Sequence, residues 1–252
     1  MPDSPVLNSS GLELIKPDWP APANIHAFTT TRKGGFSTGP YTSFNLGEHC
    51  GDNPAHVEQN RRLLSALLPS EPRWLRQVHG HRVIAWGENT EIEPEADAIV
   101  SRHTKQVCAV LTADCLPVLF CNRAGNEVAA AHAGWRGLAN GVLENTVAAM
   151  HSPPGELMAW LGPAIGPAAF EVGAEVYAAF TNLNRENAIA FKPHNDRWLA
   201  DLYHLARLAL AKVGVTQVFG GRHCTFEEQS RFFSYRRDGQ SGREVTVIWF
   251  LT

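Results

Sequence analysis

Three short stretches carry residues able to do chemistry. In "LTADCLPVLF" (residues 111–120) a run that otherwise reads as a buried strand is interrupted by Asp114 and Cys115, where a plain core strand would carry two more aliphatic residues. In "VAAAHAGWRGLANG" (128–141) a small-residue strand runs to His132, breaks at Gly134 and gives way to an amphipathic helix from about Gly137. That order places His132 at a strand end beside a helix start, where free backbone N–H groups and Arg136 would suit an anion. In "RQVHGHRV" His79 and His81 lie two apart at the end of another strand-like run, on one face unless Gly80 turns the chain. His79, Cys115 and His132 together offer two imidazoles and a thiolate, the donor set of a catalytic zinc with one open position. The spacing alone does not establish this, because the separations are long. A strand-capping His132, an Arg136 paired on the surface, and a Cys115 nucleophile served by a histidine base fit the same residues.

The elements that must position these groups follow from periodicity. Strand patterns occur at "NIHAFTTT", "RWLRQVHG", "RVIAWG", "AIVSR", "VCAVLTA", "PVLFCN", "EVAAAHA", "LMAWLG" and "EVTVIWFL". Helical patterns occur at "HVEQNRRLLSALL", "GLANGVLENTVAAMH", "GAEVYAAF" and "LADLYHLARLALAKVG", the last stopped by Gly214. Strands follow one another without regular helical crossovers in the first half. The expectation is therefore an α+β fold, a layered mixed-sheet sandwich with helices outside, as a single domain over residues 1–252.

Composition limits the function. With 252 residues, 44% of them hydrophobic, and a formal net charge of −3, the chain can bury a sizeable core and has no basic excess for duplex DNA or a membrane surface. No segment is long and apolar enough to cross a membrane, and the N-terminus lacks the basic and apolar regions of a signal peptide. The expected protein is cytoplasmic and monomeric, with a small-molecule partner, no nucleic acid and no membrane. Five cysteines without a CxxC pair argue against a disulfide framework and leave metal binding, catalysis or burial.

Seven motifs, "FTTTRKGGFS", "SFNLGEHCGDNP", "QVHG", "TADCLPVLF", "HAGWRG", "GPAIGPAAFEVG" and "FFSYRRDGQSGR", resemble in order and over nearly the whole chain the bacterial laccase-domain family, once called multicopper polyphenol oxidases. One departure is Asn53 in "GDNP", where the family more often carries a second aspartate. The resemblance implies zinc as cofactor on His79, Cys115 and His132, with Asp114 supporting the thiolate. It also implies purine nucleoside phosphorylase and adenosine deaminase activities or, in some members, removal of misincorporated serine from a UDP-muramyl cell-wall precursor. It marks Arg32, Asn45 and the arginines Arg236 and Arg237 as pocket residues, without saying which of the last two faces inward; with Asp114 and with Arg136 from the helix start, the expected set is Arg236 as catalytic and Arg32, Asn45, Asp114, Arg136 and Arg237 as substrate-binding. A true multicopper oxidase is excluded, since His79/His81 is the chain's single His-x-His pair. A lone blue-copper site would need an axial methionine, and only Met1, Met150 and Met158 exist. A cysteine hydrolase built on Cys115 and a binding module without catalysis complete the alternatives.

Overall fold

The computed structural model describes residues 5–7, 11–88 and 91–252. In chain order the strands are β1 (Pro5–Leu7), β2 (Glu13–Ile15), β3 (Ile25–Thr30), β4 (Pro72–Arg73), β5 (Val83–Ala85), β6 (Ala98–Ser101), β7 (Val107–Thr112) and β8 (Leu116–Asn122). They continue with β9 (Val128–Ala133), β10 (Leu157–Leu161), β11 (Glu171–Val172), β12 (Phe191–His194), β13 (Arg197–Ala200), β14 (Gln217–Gly220) and β15 (Glu244–Phe250). The helices are α1 (Pro54–Ser65), α2 (Trp135–Ala139), α3 (Val142–Ala149), α4 (Ala174–Thr181), α5 (Leu202–Lys212) and α6 (Tyr235–Asp238).

Period-two alternation assembles them into layers. One six-stranded sheet has the order β1-β2-β3-β15-β7-β4 and a second the order β14-β10-β8-β9-β6-β5, while β11-β13-β12 form a small third sheet. Cys108, Val110 and Ile248 of the first large sheet meet Ile99, Leu119, Cys121 and Ala130 of the second in the layer between them. The alternate residues of the second sheet, among them Val118, Phe120 and Ala131, pack beneath α3, α4 and α5. Those of the first, Val107, Ala109 and Val247, pack with Leu64 of α1. The result is the α+β sandwich with outer helices that the patterning implies. Asn53, the family departure, caps α1 by accepting the Ala55 N–H at 3.0 Å.

Two local expectations need correction, and two strand-forming stretches went unread. "RWLRQVHG" is mostly irregular: after β4 it makes a single bridge, Arg76 to Glu95. The Gln77 side chain takes over the pairing, donating to the Leu111 carbonyl and accepting the Leu111 N–H, each at 2.8 Å, so an amide replaces a strand on the β7 edge. His79 then adopts a left-handed φ of 59°, which turns the chain, leaving His81 exposed with its carbonyl accepting from Asn145. The single helix expected from Gly137 begins at Trp135 and splits into α2 and α3 at Gly141, whose φ is 87°. Finally, the strands around "FKPHNDRWLA" and "QVFG" lacked enough alternation to be read from sequence.

Candidate metal centre

The register of the second sheet creates the site. Ala98 of β6 pairs with Ala131 of β9, so Asp97 stands opposite His132, and the His132 N–H donates to the Asp97 carbonyl at 2.7 Å. Leu116 of β8 pairs with Ala133, which brings Cys115 beside Gly134. By alternation His132 continues the Val128 and Ala130 face into the layer between the sheets, as Asp97 does for Ile99. His79 enters from the turn after Gln77. The ligand atoms of His79, Cys115 and His132 all lie within 4.8 Å of one another, with the first exposed, the second half-buried and the third buried.

Asp97, which the sequence reading missed, holds two of the three. Fully buried, its carboxylate accepts His132 Nδ1 at 2.8 Å and the N–H groups of His79, Gly80 and Val78 at 2.9, 2.7 and 3.2 Å. The bond at Nδ1 leaves Nε2 of His132 for the cluster, the orienting role a carboxylate plays behind a metal-binding imidazole. Burial works against the Asp97 charge, but these hydrogen bonds outweigh it and hold the carboxyl below the usual aspartate range. The residue sits just before an apolar strand in "EADAIVS", an unremarkable place until strand pairing sets it across from His132.

Burial also opposes a charged thiol, yet the His132 charge and the hydrogen bonds from His132 and His79 prevail, drawing Cys115 down to about 6. His132 is raised in turn to about 9: burial lowers it, and the Cys115 thiolate and Asp97 more than compensate. Other cysteines behave oppositely. Burial pushes Cys50 and Cys108 upwards and Cys121 up to about 12. Close approach at the centre depends on two glycines of "HAGWRG". A Cβ on Gly134 would lie 2.9 Å from both Cys115 Sγ and His79 Cδ2, and one on Gly137 would lie 2.6 Å from the Gly80 carbonyl.

The cluster sits in a cavity of about 430 Å³ at one end of the sandwich, walled by the Gly47–Cys50 segment, Leu75, Gln77, Ile165, Phe170, Tyr235, Arg236 and Arg243. It opens beside "HAGWRG", and on its other side lies "FNLGEHC". Asp114 also lines it, at a φ of 81°. Its carboxylate accepts the Thr225 hydroxyl at 2.6 Å and the Arg236 N–H at 2.7 Å, so it organises the far wall rather than touching the thiolate.

Of the two arginines in "SYRRDG", Arg236 lines the cavity, its guanidinium 5.4 Å from the Phe170 ring and donating to the Glu171 carbonyl. Arg237 is engaged by the Thr225, Phe226 and Phe232 carbonyls and by Asp238. Arg32 lies outside the cavity lining, bonded to the Thr42 and Gln229 carbonyls over the Phe233 ring. Arg136 is exposed against Trp135. Asn45 is fully buried and acts on the backbone of the cavity wall.

The residues present fit a zinc ion: three nitrogen and sulfur donors converge, and one histidine is oriented by a carboxylate. Among the described residues none supplies a blue-copper axial ligand, because Met150 and Met158 are buried in the cores away from the cavity lining.

Comparison with known proteins places the chain among relatives. The family described as multi-copper polyphenol oxidoreductase laccase matches residues 26–251. The chain is 56% identical over 241 residues, 95% of its length and 99% of the other's, to the Escherichia coli (strain K12) protein named purine nucleoside phosphorylase YfiH. It is 51% identical to a Pseudomonas aeruginosa protein also named purine nucleoside phosphorylase, covering 93% of this chain and 97% of that one. Among solved structures, a Neisseria meningitidis protein of the DUF152 family aligns with a TM-score of 0.92 at 53% identity, covering 95% and 99% of the two chains. YlmD from Geobacillus stearothermophilus aligns at 0.90 with 30% identity over the whole of both chains.

Proposed function

The chain belongs to this laccase-like family, and on that premise we propose that it is a zinc-dependent purine nucleoside phosphorylase acting on adenosine, inosine and methylthioadenosine, with adenosine deamination as a second activity. The observation that carries the reading is the convergence of His79, Cys115 and His132 in one cavity with Asp97 behind them. The names of the relatives supply the reaction class. Zinc bound by these three residues would supply a Lewis acid and, at neutral pH, hydroxide from its open position.

The chain's own residues do the rest. Leu75, Ile165 and Phe170 offer apolar surface to a purine and exclude water, and Arg236 presents a cation to phosphate. In phosphorolysis a phosphate oxygen bonds to the sugar C1′ as the C1′–N9 bond breaks, its electron pair leaving with the base. The proton of hydrogen phosphate ends on the purine. In deamination water adds at C6 and ammonia leaves.

A second reading rests on one specific arrangement. Without a metal, Cys115, His132 and Asp97 have the order of a thiol nucleophile, its base and the carboxylate that orients it. The deciding experiment assays phosphate-dependent turnover of adenosine and inosine by wild type, His79→Ala and Arg236→Ala, beside amide hydrolysis of a muramyl precursor and zinc analysis. Nucleoside turnover abolished in His79→Ala supports the phosphorylase. Absent nucleoside turnover with amide turnover lost in His79→Ala would install the editing activity instead. Zinc-free protein whose Cys115 alkylates rapidly at neutral pH would install the cysteine hydrolase.

A further inference from the structure

Resting on the phosphorylase reading, we infer that Arg243, paired with Arg236, forms the site for the phosphate co-substrate, and that the buried Asn45 and Gly47 exist to hold Arg243 on the cavity wall. The charge balance of the wall comes first. Arg236 and Arg243 both line the cavity of the metal cluster, and among the described residues neither guanidinium is ion-paired with a carboxylate. The acids on the same wall are engaged elsewhere: Glu48 pairs with Arg61 at 2.6 Å, and the oxygens of Asp114 accept the Thr225 hydroxyl and the Arg236 N–H. Glu244, next in the chain to Arg243, is fully buried, and its carboxylate accepts the Phe233 N–H rather than pairing with the guanidinium. Two guanidiniums on one cavity wall, neither in an ion pair, form an anion site, and a guanidinium fork matches the oxygens of phosphate.

The support beneath Arg243 is specific. One nitrogen of the guanidinium, Nη1, donates to the Ser241 and Gly242 carbonyls at 2.9 Å and to the Ser241 hydroxyl at 3.3 Å, which fixes the plane of the group. Its backbone N–H donates to Asn45 Oδ1 at 2.9 Å, and the same oxygen accepts the Gly47 N–H at 2.9 Å. The Asn45 amide nitrogen donates to Asp52 and to the Gly47 carbonyl. One fully buried side chain thus ties the start of β15 to the segment against which the Arg243 stem lies. That segment needs a glycine, because a Cβ on Gly47 would fall 2.7 Å from Arg243 Cγ and 3.2 Å from its Cβ. "FNLG" and "SGR", separated by nearly the whole chain, are two halves of one device.

The test is steady-state phosphorolysis of adenosine with phosphate varied at saturating nucleoside, on wild type, Arg243→Gln and Gly47→Ala, each checked for zinc content. The KM for phosphate is expected to rise about tenfold to a hundredfold in Arg243→Gln, with zinc retained. Gly47→Ala, which keeps the arginine but displaces its stem, should raise the same constant by a smaller factor and serves if Arg243→Gln fails to fold. A phosphate KM within about twofold of wild type in either folded, zinc-loaded variant overturns the assignment. Wild type that releases no base in response to phosphate removes the phosphorylase reading itself, and the phosphate site with it.

Discussion

Two cavities of nearly equal size, about 430 and about 440 Å³, are each lined by cysteine and histidine and differ in what they can do. Each contains a half-buried cysteine packed on a glycine: Cys115 on Gly134, and Cys224 on Gly166, whose N–H donates to the sulfur at 3.2 Å. Each has a histidine hydrogen-bonded to a carboxylate, His132 to Asp97 and His223 to Glu228 at 3.0 Å. In the first cavity these groups come from β9, the start of β6, the start of β8 and a distant turn, and their ligand atoms converge. In the second, His223, Cys224 and Glu228 belong to one short segment. Glu228 staples that segment, accepting the Cys224 N–H at 2.9 Å and Arg231 at 2.8 Å. Cysteine, histidine and a carboxylate partner side by side do not make a metal centre. Separate strands aiming their donors at one point do.

The largest expected contrast is between the two cysteines. Cys115→Ala should lose stoichiometric zinc and all nucleoside turnover, and Cys224→Ala should keep both, as metal analysis and an activity assay would show. If Cys115→Ala retains its zinc, the distinction between the cavities collapses. The acids come next. Asp97→Asn loses the charge that orients His132 and the acceptors that hold the His79 turn, so zinc affinity measured by chelator competition should fall by about tenfold to a hundredfold. Glu228→Gln should leave that affinity unchanged.

Gly134→Ala and Gly166→Ala sharpen the contrast further, since each adds a Cβ about equally close to a cysteine sulfur, 2.9 and 3.0 Å. Both should lose about 1–3 kcal/mol of stability by denaturant unfolding, and only Gly134→Ala should lose zinc. The smallest effect is a pH dependence. Burial raises Glu228, but His223 and the Cys224 N–H outweigh it, leaving the carboxyl below its ordinary value. A depressed carboxyl contributes stability that is complete above the unfolded value and is lost as pH falls through the folded one. Urea unfolding should therefore separate wild type from Glu228→Gln at pH 6, and the difference should shrink as pH falls below the ordinary glutamate range.

The sequence carried the layered fold because β7, β8, β9 and β15 alternate cleanly between two packed faces. It carried the three candidate ligands because a cysteine and two histidines interrupt such runs. Asp97 stayed hidden since its partner is set by register, which no local pattern encodes. Arg243 stayed hidden in a turn whose partner, Asn45, lies almost 200 residues away. Arg32 and Arg237 stood out as cations in loops, and only the fold shows that backbone carbonyls already engage them. The "QVHG" segment reads as a strand by its pattern, but in the fold only the Gln77 side chain makes a strand's pairing.

The most direct measurement is anomalous diffraction at the zinc edge from crystals of the purified wild-type protein. One peak is expected, about 2.3 Å from Cys115 Sγ and about 2.0–2.1 Å from a nitrogen of each of His79 and His132, with none in the cavity of Cys224. Zinc bound at Cys224 instead, or protein that takes up no zinc at His79, Cys115 and His132, would contradict the account.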